Sequence, residues 1–304
     1  MSRQEAYWQY TEAVKMGKRY HRKRLFRAPR PQMQSLDTLL DPAAIAGKQD
    51  LGVIEIPLER VAGTKEAGRC AAFAGNFMPL LHPSTEFANK WISVCETLFR
   101  ENGELEPIEC CEYMGKFFVS EGNKRVSVLK SLGLETIRAH VVRLVPRWSQ
   151  AAGIQLYYEF LQAYNCCGLY EMEVTQPGGF EKMQKAMGFE RTHVWTEEER
   201  RCYLARLHFF REVYEQAGGT ALSLTAADAL LVWLSKYPYG DLQRLSRREL
   251  RNSLRSVWVQ LQMKDLQNRI RKGTAPLREL KKWTGIRSAE LRMGSVSCAD
   301  RKRR

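Results

Sequence analysis

Long apolar runs are missing from these 304 residues. No stretch approaches the ~18–20 apolar residues that cross a bilayer. The first thirty residues, broken by Lys15, Lys18, Arg19 and the basic run Arg22 to Arg24, hold no hydrophobic segment of the kind a secretory leader needs. A cytoplasmic protein with no membrane partner is expected. The eight cysteines form no CxxC pair and no Cys/His grouping, so they read as reduced thiols, and no metal is expected. The five histidines make no HExxH pattern, no GxSxG occurs, and no acidic cluster suits a metal-dependent nuclease. No internal repeat is visible.

What is present in excess is positive charge, and it is unevenly placed. Lys and Arg number 48 against 34 Asp and Glu, a net +14. Residues 1–31 carry +7 and residues 241–304 carry +12, which leaves the middle of the chain at −5. Basic ends of this kind can follow a phosphate backbone electrostatically. The 44% of apolar residues and 10% of aromatics are enough for a buried core.

Periodicity outlines the elements. Residues 4–26 read as a helix, with Tyr7, Tyr10 and Val14 on one stripe, and residues up to about Gly52 read as loop-rich. Val53–Val61 (VIEIPLERV) alternates as a strand and is closed by the loop Gly63–Cys70 (GTKEAGRC). Ser84 is the expected cap of a helix bearing Phe87, Trp91, Val94, Cys95 and Leu98. Pro107–Cys111 and Lys116–Ser120 read as two strands around a turn at Met114-Gly115. Gly122-Asn123 opens a helix that stops at Gly133, and Thr136–Leu144 is again a strand. Beyond Pro146 the chain turns mainly helical. Leu169–Val174 is expected as one more strand, Thr196/Glu199 and Ser246/Glu249 read as capping boxes, and the pattern fades after about residue 264.

The loop Gly63–Cys70 nearly spells a phosphate-binding P-loop, GxxxxGK[ST], but Arg69 stands at the lysine and Cys70 at the metal-binding hydroxyl. No helix follows it either. The more specific phosphate signal is Glu121-Gly122-Asn123-Lys124-Arg125. A helix start offers unpaired N–H donors and a partial positive charge. Gly122 permits close approach, Asn123 is a good cap type, and Lys124 and Arg125 add charge beside it.

Taken in order, the strand IEIPLERV, the loop GTKEAGR, a helical insertion, Glu106-Pro107-Ile108, the strand KFFVS, EGNKRVSVLKSLG and TIRAHVVRL resemble the ParB/sulfiredoxin superfamily domain. The resemblance covers residues 51–145. It implies an α+β fold: a small mixed sheet with helices, followed by a mainly helical C-terminal region. The implied division is a basic helix and loop over 1–50, the ParB/sulfiredoxin-like domain over 51–146, a helical region over 147–263 and a basic tail without order over 264–304. More weakly, residues 1–260 resemble the front half of bacterial proteins in which such a domain precedes a substrate-binding module of the basic-membrane-lipoprotein type. That resemblance implies a module of this type, or a second copy of the chain, as partner.

The resemblance also implies a nucleoside triphosphate, with or without Mg²⁺, held between two loops. Gly63, Thr64, Lys65 and Arg69 come from the first, and Gly122, Asn123, Lys124 and Arg125 from the second. Catalysis is where the chain departs from the family. ParB-type hydrolases carry Gly-Glu-Arg-Arg and sulfiredoxins Gly-Cys-His-Arg, whereas Asn123 supplies neither a general base nor a nucleophile. Glu121 is the one candidate catalytic group. The expected function is therefore nucleotide-dependent regulation or scaffolding with weak or no hydrolysis. The alternatives are a DNA-binding protein using its basic ends, and a kinase or triphosphatase using Glu121. A DNA-reading helix-turn-helix is not favoured, because the helices from Thr225 and Ser246 are too far apart for the usual short turn. The Arg247, Arg251 and Arg255 stripe reads as a solvated face.

Overall fold

The computed structural model describes residues 2–25, 33–100, 104–271 and 274. Two compact units divide the chain at Tyr158 and Glu159. The fold is α+β: one mixed sheet with its helices, then a helical region. No helix among the described residues is long and apolar enough to cross a membrane.

The first unit opens with α1 (Arg3–Leu25), followed by β1 (Gln34–Ser35), the short α2 (Leu36–Leu39), β2 (Ile45–Pro57) and β3 (Val61–Thr64). Then come α3 (Glu86–Leu98), β4 (Ile108–Tyr113), β5 (Lys116–Glu121), α4 (Asn123–Ser131) and β6 (Thr136–Pro146). The six strands lie in the order β1-β3-β5-β4-β6-β2. β1, β3 and β5 run parallel, β4 is antiparallel to β5 and parallel to β6, and β2 is an antiparallel edge on β6.

Two clusters of buried side chains contribute to the core. In one, α1 brings Ala6, Tyr10, Ala13 and Val14 against Ala88, Trp91, Ile92 and Cys95 of α3 and Val128 of α4. Burying a ring the size of Trp91 contributes roughly 4–6 kcal/mol, and its indole N–H donates to the buried Ser127 hydroxyl at 2.8 Å. The other cluster joins Leu36, Phe118 and Leu144.

The sequence expectations for this unit hold best around the hairpin, where Met114 and Gly115 both take positive φ in the turn. They fail around β2. That strand starts at Ile45 rather than Val53, inside the segment read as loop, and ends at Pro57. Because β2 pairs on one side only, residues 46–50 are exposed and carry no alternation. Leu58–Arg60 then turns as a 3-10 helix, and Val61–Thr64, read as the end of a strand and the start of a loop, is a separate parallel strand. The cap of α3 is Thr85, whose hydroxyl accepts from the Ala88 N–H, and not Ser84. The unit also extends past 51–146 at both ends, since α1, β1 and the start of β2 pack into it.

The helix α5 (Ala152–Cys167) carries the chain across the boundary. The second unit continues with α6 (Gly179–Ala186), α7 (Glu197–Gln216), α8 (Ala226–Leu234), α9 (Arg247–Ser256) and α10 (Trp258–Arg271). Both expected capping boxes are present, at Thr196/Glu199 and Ser246/Glu249. Tyr203, Leu207, Phe210 and Tyr214 of α7 are buried, as are Leu250 and Leu254 of α9.

Two expectations are corrected in this unit. Leu169–Val174 is not a strand: Leu169, Tyr170, Met172 and Val174 are buried, but the backbone bonds locally, Val174 N–H to the Met172 carbonyl. The helical pattern does not fade at 264, because α10 continues to Arg271 with Leu266 inside. The remainder of the expected tail, 275–304, lies outside the described residues.

Candidate functional site

β5 ends at Glu121 and the chain passes through Gly122 directly into α4. Gly122, not Asn123, is the helix cap, and it sits at φ +103, where a side chain is strained. Space forbids one as well: a Cβ there would lie 2.5 Å from Cγ2 of Ile108. Ile108 is the first residue of β4, straight after Glu106-Pro107. Arg125 closes the same junction, its Nη1 donating to the Glu106 carbonyl at 2.6 Å and the Pro107 carbonyl at 2.7 Å. The Glu-Pro-Ile and Gly-x-x-Arg segments are thus one structural joint. The glycine gives Ile108 room and the arginine ties down the two carbonyls before it.

The joint leaves the helix start open. Val126 N–H is the first to find its carbonyl, on Gly122, and no side chain caps the end. The N–H groups of Asn123, Lys124 and Arg125 therefore have no intrahelical acceptor. They open on a groove of about 420 Å³ lined by Arg69, by Asn89, Lys90, Ser93 and Val94 of α3, and by Glu121 to Arg125. Lys124 is half-buried, with its ammonium 5.0 Å from the centre of the Phe87 ring. Burial lowers its pKa first, and repulsion from Lys90 and Arg69 lowers it further, against opposition from Glu121 and Glu86. An ammonium that is both desolvated and pushed by two neighbouring cations sits in a field that favours an incoming anion. The other two cations are exposed and face carboxylates nearby in sequence, Lys90 at 2.7 Å from Glu86 and Arg69 at 3.7 Å from Glu66.

The residues singled out from the sequence separate into three groups. Arg69 and the five from Glu121 to Arg125 meet in the groove. Gly63 and Thr64 lie behind it within β3. A Cβ on Gly63 would fall 2.1 Å from the Gln34 carbonyl oxygen, so this glycine serves the approach of β1. Thr64 is fully buried and touches the site only through Asn123, whose Nδ2 lies 3.5 Å from its hydroxyl. Lys65 is elsewhere. Its N–H bonds the Val119 carbonyl, and its charge lowers the pKa of Cys111, a thiol that burial raises, in the cluster around Leu36, Phe118 and Leu144. Gly63 and Thr64 belong to a strand rather than to the expected loop, and a strand sends successive side chains to opposite faces.

Sequence reading missed the contribution of α3. Asn89, Lys90 and Ser93 recur at i, i+1 and i+4 on the side away from Trp91 and Cys95, so the polar stripe of that helix carried the signal.

The basic ends divide similarly. Lys15, Lys18, Arg19 and Arg22 are exposed on α1. On α9, Arg247 pairs with Glu212 at 2.6 Å and Arg251 donates to Gln216 at 3.2 Å.

Compared with known proteins, the chain matches no family model and no curated protein. Functional inference therefore rests on the groove.

Proposed function

We propose that the first unit binds a nucleoside triphosphate through its phosphates, at the open start of α4, and that binding serves regulation or scaffolding rather than turnover. The observation that carries this is the convergence of three uncapped N–H groups with Arg69, Lys90 and Lys124 around one groove. Oriented N–H donors and clustered cations, one of them half-buried, together suit a polyanion better than either alone. Among the described residues the lining offers one aliphatic side chain, Val94, and no aromatic ring for a base, so phosphates dominate the binding. The order of strands and the Gly-x-x-Arg joint, with their resemblance to the ParB/sulfiredoxin domain, favour a nucleotide over other phosphate esters. Glu121 lines the groove, and among the described residues its side chain has no hydrogen bond that would orient it as a base, so slow hydrolysis or none is expected.

Thermal-shift titration with ATP, CTP and GTP, with and without Mg²⁺, tests this. Stabilisation by a triphosphate that Lys90→Gln or Lys124→Gln weakens supports it, and a shift untouched by either variant refutes the placement. Arg125→Ala is a poorer probe, since it also releases the Glu106 and Pro107 carbonyls. Turnover lost in Glu121→Gln would instead establish the enzyme reading.

A further inference from the structure

Asn123 lines the groove and carries a polar atom that an anion cannot satisfy. Asn123 is 9% exposed, and its Oδ1 is buried without a partner among the described residues. The orientation of the amide follows from its neighbour. The Thr64 hydroxyl gives its single proton to the Val119 carbonyl at 2.9 Å, so toward Asn123 it can only accept. Nδ2 of Asn123 therefore faces Thr64, at 3.5 Å, and Oδ1 faces away from it. Asn123 lines the groove one residue before Lys124, together with the uncapped helix start, Arg69 and Lys90.

A bare phosphate or polyphosphate would leave Oδ1 facing another acceptor. A ligand carrying a hydroxyl next to its phosphates would give it the missing donor. The final torsion of an asparagine is broad, and the 3.5 Å contact with Thr64 is long, so the amide of this groove-lining residue can turn to meet a ligand. On the proposal that this groove holds a phosphate ligand, we infer that Asn123 is its specificity-determining residue: Oδ1 accepts a sugar hydroxyl, so that the groove selects phosphorylated sugars, nucleotides included, over inorganic polyphosphate.

A site that hydrogen-bonds a hydroxyl rejects an analogue lacking it, because its own polar group is then left unpaired. Titration calorimetry of the intact protein with ATP, 2′-deoxy-ATP, 3′-deoxy-ATP and inorganic tripolyphosphate reads this directly, and the wild-type series needs no variant to fold. The expected result is ATP binding at least about tenfold more tightly than tripolyphosphate and than one of the two deoxy analogues. In Asn123→Ala the difference should collapse to within about twofold. Equal affinity for all four ligands overturns the role of Asn123 and leaves the anion groove standing. A requirement for Mg²⁺ with indifference to both hydroxyls also overturns it, by assigning Oδ1 to a cation. Absence of binding by all four refutes the groove itself along with it.

Discussion

Gly122 and Gly133 form a natural controlled pair for measuring what the joint before α4 requires. Both have positive φ, +103 and +73, so alanine at either position is strained. They differ in surroundings, because a Cβ on Gly133 meets nothing within 4 Å, whereas on Gly122 it meets Cγ2 and Cβ of Ile108 at 2.5 and 2.9 Å. Ile108 is fully buried and β-branched, so its side chain has little freedom to retreat. Gly133→Ala should cost about 1–2 kcal/mol, the ordinary penalty for a left-handed residue. Gly122→Ala should add an overpacking cost of about 1–3 kcal/mol to that. Urea unfolding, with hydrogen exchange of peptides spanning β4 to α4 to isolate the first unit, measures both variants. A thermal melt should separate the two by about 2–12 °C. Combining Gly122→Ala with Ile108→Ala should recover part of the extra cost as a coupling energy. Equal destabilisation by the two single substitutions would refute the joint as described.

The buried ion pair of the first unit makes a second test. Glu112 and Arg143 are both nearly inaccessible and lie 2.6 Å apart, and the Glu112 carboxylate also accepts from the Gly115 N–H and the Tyr157 hydroxyl. Arg143→Met leaves that carboxylate buried and under-compensated and should cost about 3–5 kcal/mol by denaturant midpoint, with Glu112→Gln restoring part of the loss. A cost below about 1 kcal/mol would show the pair to be dispensable. A third test uses pH. His140 bridges Glu109 at 2.8 Å and Asp50 at 3.0 Å, and its pKa is raised, chiefly by the hydrogen bond to Glu109. A raised folded pKa adds stability that is complete below the unfolded value near 6.5 and is lost as pH climbs through the folded value. His140→Gln should therefore flatten the fall of the denaturant midpoint just above pH 6.5. An unchanged profile would refute the bridge.

Where structure is decided locally, the sequence was legible. The turn at Met114-Gly115 fixed the hairpin, and Gly122 and Gly133 marked the ends of α4 to within two residues. Ser246 and Thr196 announced their helices through glutamates three residues on. What long-range pairing decides stayed hidden. β3 exists because β1 and β5 flank it, from positions about 30 residues before it and 55 after it, and no local pattern in VAGT announces that. β2 begins in polar residues that an edge strand tolerates. The same cause misplaced Lys65 and Thr64, whose directions depend on strand alternation, while Arg69 reached the groove from the 3-10 turn beyond. Arg125 was expected from the sequence as a phosphate contact, and its grip on the Glu106 and Pro107 carbonyls required the fold.

The most direct measurement is an amide nuclear magnetic resonance titration of the intact protein with a nucleoside triphosphate. If the anion seats on the open turn of α4, the largest shifts fall on the backbone N–H groups of Asn123, Lys124 and Arg125, and they fade in Lys90→Gln. Shifts concentrated on α1 or in the second unit, with these three amides still, would contradict it.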